Sequence, residues 1–332
     1  MLSRSDLILV TGATGFVGAA VARNLAEKGA KLRLLVRPGS NRRNLRGLEA
    51  ELVEGDLDAP DSLVRAVSGC RYLFHVAADY RLWVPDAAAM RRTNIDGSVA
   101  LLRAAAAAGV ERSVYTSSVA ALGLNEDGRP ADEATPVVPS HLIGAYKRSK
   151  YDAEQAVREL AKDQDIVIVN PSTPVGPGDV KPTPTGQMVL DAANGRMPAF
   201  VDTGLNIVHV DDVAEGHILA LERGRTGEAY ILGGENLMLG AFFGAVARQA
   251  GRRAPTVKLP IAPLMPLAWI MERIAGVTGK TPRMTTEMLK MAHKKMFFDS
   301  GKAMRELGYV PRPAEAAIAD ALAFFTAEGL IR

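Results

Sequence analysis

The chain has 332 residues, 48% hydrophobic and 23% charged, which is enough apolar content to build one large or two modest folded units. Forty Lys and Arg against 37 Asp and Glu leave a net charge of +3, which by itself argues neither for nor against nucleic acid; no nucleic-acid partner is expected. The single cysteine, Cys70, excludes an internal disulfide and suits a reducing compartment; just ahead of an apolar run, it reads as a small buried hydrophobe.

Leu7 to Val10 is a short apolar run of the kind that makes a strand buried on both faces. It begins almost at once, so no secretory leader and a cytoplasmic setting are expected. Gly12, Gly15 and Gly18 follow at three-residue spacing, with Thr14, Phe16 and Val17 in the same turn, and Ala19 to Lys28 reads as a helix. Such a strand, glycine turn and helix N-terminus can hold a pyrophosphate: the backbone comes close, and unpaired N–H groups and the helix dipole face the anion. A second strand through Leu32, Leu34 and Val36 ends at Arg37, with Arg42 and Arg43 beyond. NAD-binding folds usually place an acid there for the ribose 2′-hydroxyl. A guanidinium suits a 2′-phosphate instead, so NADP is the expected cofactor and NAD the alternative.

Leu52-Val53 leads to Gly55-Asp56-Leu57, where Asp56 either bonds the adenine amino group or caps the helix starting near Pro60. Tyr72 to Val76 is a further strand ending in Ala77-Ala78, small enough to pass close to a ligand. Ala87 to Ala108 reads as one long helix ended by Gly109. Arg112 to Thr116 is the next strand, with Ser117 and Ser118 at its carboxyl end, where open α/β sheets bind ligands. The alternation of strands and helices predicts a doubly wound parallel sheet, an α/β Rossmann domain, with a smaller, mostly helical substrate lobe.

Tyr146 and Lys150 stand four apart at the head of a helix running to about Lys162, so they share a face. Val167 to Asn170 is the sixth strand, and its Pro/Gly-rich exit, from Pro171 to Gly178, marks the passage to the second lobe. Ile207 to Val210, followed by Asp211-Asp212, reads as a return to the first sheet; His209 within it reads as structural rather than as a base. The expected division is 1–171 with 205–233 for the dinucleotide domain, and 172–204 with 234–332 for the substrate lobe. No span reaches membrane-crossing length. The nearest, Leu259 to Met271, is broken by Pro260, Pro263 and Pro266. Either it packs inside the second lobe, or Met265, Trp269 and Met271 flank a greasy entrance that touches a membrane face without spanning it.

Taken together, Gly12-x-x-Gly15-x-x-Gly18, Asp56-Leu57, Ala77-Ala78, Asn94, Thr116-Ser117-Ser118, Tyr146-x-x-x-Lys150, Asn170-Pro171 and His209-Val210-Asp211-Asp212 resemble the extended short-chain dehydrogenase/reductases, the NAD-dependent epimerase/dehydratase group. The segments Ala78 to Trp83, Asn170 to Pro174, Lys181 to Gly186 and Lys294 to Phe298 resemble more closely the bacterial hopanoid-associated sugar epimerases, which are similar in turn to the dihydroflavonol 4-reductases. The resemblance implies Ser118, Tyr146 and Lys150 as the catalytic set. It implies cofactor contacts from Gly12, Thr14, Gly15, Phe16, Val17, Arg37, Asp56, Leu57, Ala77, Ala78, Thr116, Tyr146, Lys150 and Pro171, and substrate contacts from Tyr80 and Trp83. No metal ion is implied. It also implies a homodimer, formed by the helices 87–108 and 146–162 as a four-helix bundle.

A free tyrosine titrates near pH 10, and half-ionising it at neutrality takes ~4 kcal/mol, which Lys150 and a positive nicotinamide ring can supply by stabilising the phenolate. Tyr146 then gives or takes a proton at a substrate oxygen that Ser118 also bonds, while the nicotinamide carries the hydride. Two departures bear on the reaction. Family dehydratases carry an acid pair directly after the catalytic Ser/Thr, where this chain has Val119 and Ala120. Family epimerases acting on nucleotide sugars carry Arg-Asp where this chain has Leu205 and Asn206, and an apolar Leu cannot offset a diphosphate. NADPH-dependent carbonyl reduction, on a small-molecule substrate with or without a lipid link, is therefore favoured over cofactor-retaining sugar epimerisation and over a non-catalytic NADP sensor.

Overall fold

The computed structural model describes residues 5–79, 87–278, 282 and 284–331. Seven parallel strands form the central sheet: β1 (Leu7–Thr11), β2 (Lys31–Val36), β3 (Glu51–Glu54), β4 (Tyr72–His75), β5 (Arg112–Thr116), β6 (Ile166–Pro171) and, much later in the chain, β10 (Ala229–Leu232). Their order is β10-β6-β5-β4-β1-β2-β3. The order reverses between β1 and β4, and a crevice for ligand opens at such a switch point.

Helices cover both faces of this sheet. On one, α1 (Phe16–Glu27) packs with α7 (Val210–Arg223) around Val10, Leu34, Val114, Val169 and Ile218. On the other, α2 (Pro60–Val67), α4 (Ser98–Ala107) and α5 (Gly144–Leu160) enclose Leu9, Leu73, Leu101, Tyr115, Val157 and Cys70, which is buried as expected. The predicted long helix is interrupted. A short α3 (Ala87–Arg91) runs into a π-helical turn over 92–97 and only then into α4. At that turn the buried Asn94 binds the Asp79 backbone through both its N–H (2.7 Å) and its carbonyl (2.9 Å), and Ser149 Oγ at 3.1 Å, so tertiary bonds account for the extra residue in the turn.

The second lobe has its own core, built from α6 (Pro184–Ala193), α8 (Leu239–Gln249) and α12 (Ala314–Ala327) against β7 (Thr173–Val175) and β9 (Gly204–His209). Here the structure corrects the sequence reading: β9 does not rejoin the first sheet. It lies in a separate three-stranded sheet, β11-β9-β7, with β11 at Glu235–Met238, and the chain returns to the first sheet only at β10. The lobe is also less purely helical than expected, since β8 (Ala199–Val201) pairs with β12 (Val257–Leu259). The remaining helices are α9 (Leu264–Thr278), α10 (Thr286–Met291) and α11 (Gly301–Leu307). Among the described residues no helix is long and apolar enough to cross a membrane.

Candidate active site

The glycine turn follows β1. Gly12 adopts φ +74°, and a Cβ there would come within 2.7 Å of the Ala77 nitrogen; a Cβ on Gly18 would lie 2.2 Å from the Gly12 carbonyl oxygen. Only glycine lets these backbones meet. α1 then starts at Phe16 with no side-chain cap and no acid in its first turn. Its first N–H groups and dipole are left for an anion, so this cradle fits the pyrophosphate of a dinucleotide. Asn44 steadies the turn by donating to the Thr14 carbonyl at 3.3 Å. Phe16 is buried and Val17 half-buried beneath it. Ala77 donates its N–H to Thr11 Oγ1 at 3.1 Å, which fastens β4 to β1 below the crevice.

Arg37 stands exposed directly after β2 with no ion pair among the described residues, whereas Arg42 pairs with Glu54 and Arg43 with Glu328. Of the three arginines the sequence offers, Arg37 is the uncommitted one. Asp56 accepts from the Asp58 N–H at 3.1 Å, and α2 takes Ala59 as its N-cap, so Asp56 shapes the loop and does not cap the helix. Leu57 is buried under Gly97. Ala78 is half-buried beyond Ala77, and Pro171 closes β6. Tyr80 and Trp83, the expected substrate contacts, lie outside the described residues.

Ser118, Tyr146 and Lys150 come together off the carboxyl ends of β5 and β6. Ser118 stands beside the Tyr146 phenol, where it pulls the phenol pKa down, and its hydroxyl accepts from the Ala120 N–H at 3.1 Å. The Lys150 ammonium donates to the Thr116 carbonyl at 2.9 Å, and Thr116 Oγ1 lies 2.9 Å from His217 Nε2. Burial pushes the Tyr146 pKa up, and only the Ser118 bond pulls it back. Burial also pushes Lys150 down to about 8, against the pull of Glu154. The protein itself thus holds a protonated phenol beside an amine poised near neutrality, an arrangement suited to giving a proton to a substrate oxygen.

Asn170 was legible only as part of an Asn-Pro motif, and its role was not. Its amide donates to the Ser118 carbonyl at 3.0 Å and to Glu154 Oε2 at 2.8 Å, which ties β6 to both Ser118 and α5. Its position at the carboxyl end of β6, next to β5, was the available signal. Ser117 Oγ, Asn170 Oδ1 and Ser172 Oγ are buried without a partner among the described residues, and all three sit at these strand ends. Buried polar atoms are seldom left unpaired, so this cluster suits a polar ligand group such as a carboxamide.

Val119 and Ala120 form a single 3₁₀ turn and present no carboxylate. Leu205 is buried. Asn206 is fully engaged within the protein: its amide donates to the Gly234 carbonyl and to Asn236 Oδ1, and its oxygen accepts from the Gly234 N–H. His209 is buried and structural, as expected; it caps α7 by accepting from the Asp211 N–H and lies 2.9 Å from Asp320.

A Rossmann sheet with a glycine cradle at its switch point defines a nicotinamide-dinucleotide-dependent oxidoreductase of the short-chain type. The NAD dependent epimerase/dehydratase family model matches residues 8–233. The chain belongs to that family, as an extended short-chain dehydrogenase/reductase. It is 44% identical, over 100% of its length and 98% of the relative's, to a Synechocystis sp. protein carried under the name dihydroflavonol 4-reductase. It is 34% identical to the sterol demethylase protein B of Methylococcus capsulatus, over 97% of this chain and 99% of that one. The crystal structure of gox2253 superposes with a TM-score of 0.89 at 60% identity, over 99% of this chain and all of that one.

Proposed function

We propose that the protein is an NADPH-dependent carbonyl reductase. The observation that carries this reading is the state of positions 205 and 206. Where nucleotide-sugar epimerases of the family present Arg-Asp, this chain has a buried Leu205 and an Asn206 whose side chain is committed to Gly234 and Asn236. No guanidinium stands there to hold a diphosphate. The missing acids at 119 and 120 remove the residues an elimination would use.

When bound, the dinucleotide supplies the hydride. Tyr146, kept protonated by burial, donates the phenol proton to the oxygen that becomes the alcohol. Ser118 bonds that same oxygen and holds the phenol in line. Lys150, fixed on Thr116, lends positive charge to the phenolate as it forms. The uncommitted Arg37 selects the 2′-phosphate of NADP. The names of the Synechocystis and Methylococcus relatives, a flavonoid reductase and a sterol demethylase component, favour a polycyclic apolar substrate; the resemblance to hopanoid-associated enzymes agrees.

Cofactor-retaining sugar epimerisation is the second reading, and net consumption of NADPH separates the two. Polycyclic ketones and sugar-bearing lipids should be assayed at the nicotinamide absorbance with both cofactors. Stoichiometric NADPH oxidation with alcohol formation supports reduction. Epimer formation without loss of NADPH contradicts it.

A further inference from the structure

We propose that α9 docks the enzyme onto an anionic phospholipid surface. Ala268 and Ala275 face inward, and Leu267, Ile270 and Ile274 form an outward stripe at i, i+3 and i+7 with Trp269 beside it. These four side chains are 47–56% exposed. Val257 and Leu259 on β12, shortly before α9, are exposed as well, so among the described residues six of the twelve exposed large hydrophobics fall between 257 and 274.

Of the two charges α9 itself carries, the acid is turned away from this stripe and the arginine stands on the outside. The only acid of α9, Glu272, is turned inward: both the N–H and the hydroxyl of Thr286 donate to it, at 2.7 and 3.0 Å. On the outside Arg273 lies over the Trp269 ring at 5.0 Å, an apolar body with a cationic rim. Residues 252–295 hold nine Lys and Arg against two Glu, a net +7, and the rest of the chain is net −4. The stretch of sequence that carries this exposed apolar helix is thus the positive part of a near-neutral chain, and Arg273 beside Trp269 complements acidic headgroups over a bilayer edge. The four side chains offer roughly 400 Å², well short of the ~800 Å² per partner of a stable protein interface. At about 22 Å, the helix would lie along the surface rather than cross it.

The test uses the full chain with vesicles of phosphatidylcholine alone or mixed equally with phosphatidylglycerol. The wild type should co-sediment with the anionic vesicles, less so at 0.5 M salt. Ile270→Ser/Ile274→Ser, with an unchanged thermal midpoint, should cut partitioning at least tenfold, and Arg273→Glu should weaken binding to anionic vesicles only. Because the chain has two tryptophans, Trp83→Phe leaves Trp269 as sole reporter on an unaltered face; its emission should shift to the blue on anionic vesicles. Absence of wild-type binding, an unshifted Trp269, or equal binding by the folded serine variant would overturn the proposal. Dissociation of an oligomer by the serine pair, without vesicle binding by the wild type, would assign the face to a second copy of the chain instead.

Discussion

Lys150 donates to the carbonyl of Thr116 at 2.9 Å, so the charged end of α5 is fastened to the last residue of β5. The ammonium is buried and held at about 8, below the 10.5 of a free lysine. Between these values the unfolded chain binds a proton that the folded chain has released, so stability rises with pH across this window. Below about pH 8 the folded chain carries the full burial penalty, on the order of 3 kcal/mol. Lys150→Met should remove that dependence. Denaturant unfolding of both proteins at pH 7, 8, 9 and 10 checks it: the stability advantage of the methionine variant should shrink as pH rises, and a constant difference would refute the assignment. The same group gives kcat/KM a descending limb near pH 8, since that ratio reports the free enzyme.

Arg37 is expected to govern cofactor choice. Its guanidinium makes no ion pair among the described residues, unlike Arg42 and Arg43 beside it. Arg37→Asp should weaken NADPH binding by about tenfold to a hundredfold and leave NADH binding nearly unchanged. Calorimetry with each cofactor measures this, and an unaltered preference would assign the 2′-phosphate to other residues.

Gly18→Ala tests the cradle. Its Cβ would meet the Gly12 carbonyl oxygen at 2.2 Å, so α1 must move away from the turn. A loss of about 1–3 kcal/mol in stability and a weaker dinucleotide affinity are expected. Thermal unfolding with and without NADPH reads both, and wild-type values for the two would mean that the turn is looser than described.

The helices α4 and α5 are expected to form a homodimer. Ala106 and Ala107 are exposed on α4, and Arg148, Gln155 and Glu159 on α5; short alanines let helices approach closely. Sedimentation velocity at micromolar concentration should give the mass of two chains, and a single-chain mass contradicts the pairing.

The cradle was legible because its signals are local: glycine spacing, an apolar strand before it, a helix former after it. Tyr146 and Lys150 were legible for the same reason, being four apart on one helix. What Lys150 touches was not, since Thr116 is 34 residues away in sequence. β9 shows a limit of another kind. All six of its residues are buried, so its sequence fits the interior of either sheet, and only its pairing with β7 and β11 places it. The π turn at 92–97 depends on the bonds from Asn94 to Asp79 and Ser149, and no periodicity encodes these. In α9 the apolar composition was plain, but the outward direction of Ile270 and Ile274 follows from how Ala268 and Ala275 seat the helix.

The central claim is that Tyr146 delivers the proton in an NADPH-linked reduction. Steady-state NADPH oxidation by the wild type and by Tyr146→Phe, on the best ketone found, addresses it most directly. The account predicts that the phenylalanine variant binds NADPH normally, unfolds at nearly the same temperature, and loses about 10²–10⁴-fold in kcat. A Tyr146→Phe enzyme that retains a near-wild-type rate on that ketone would contradict it.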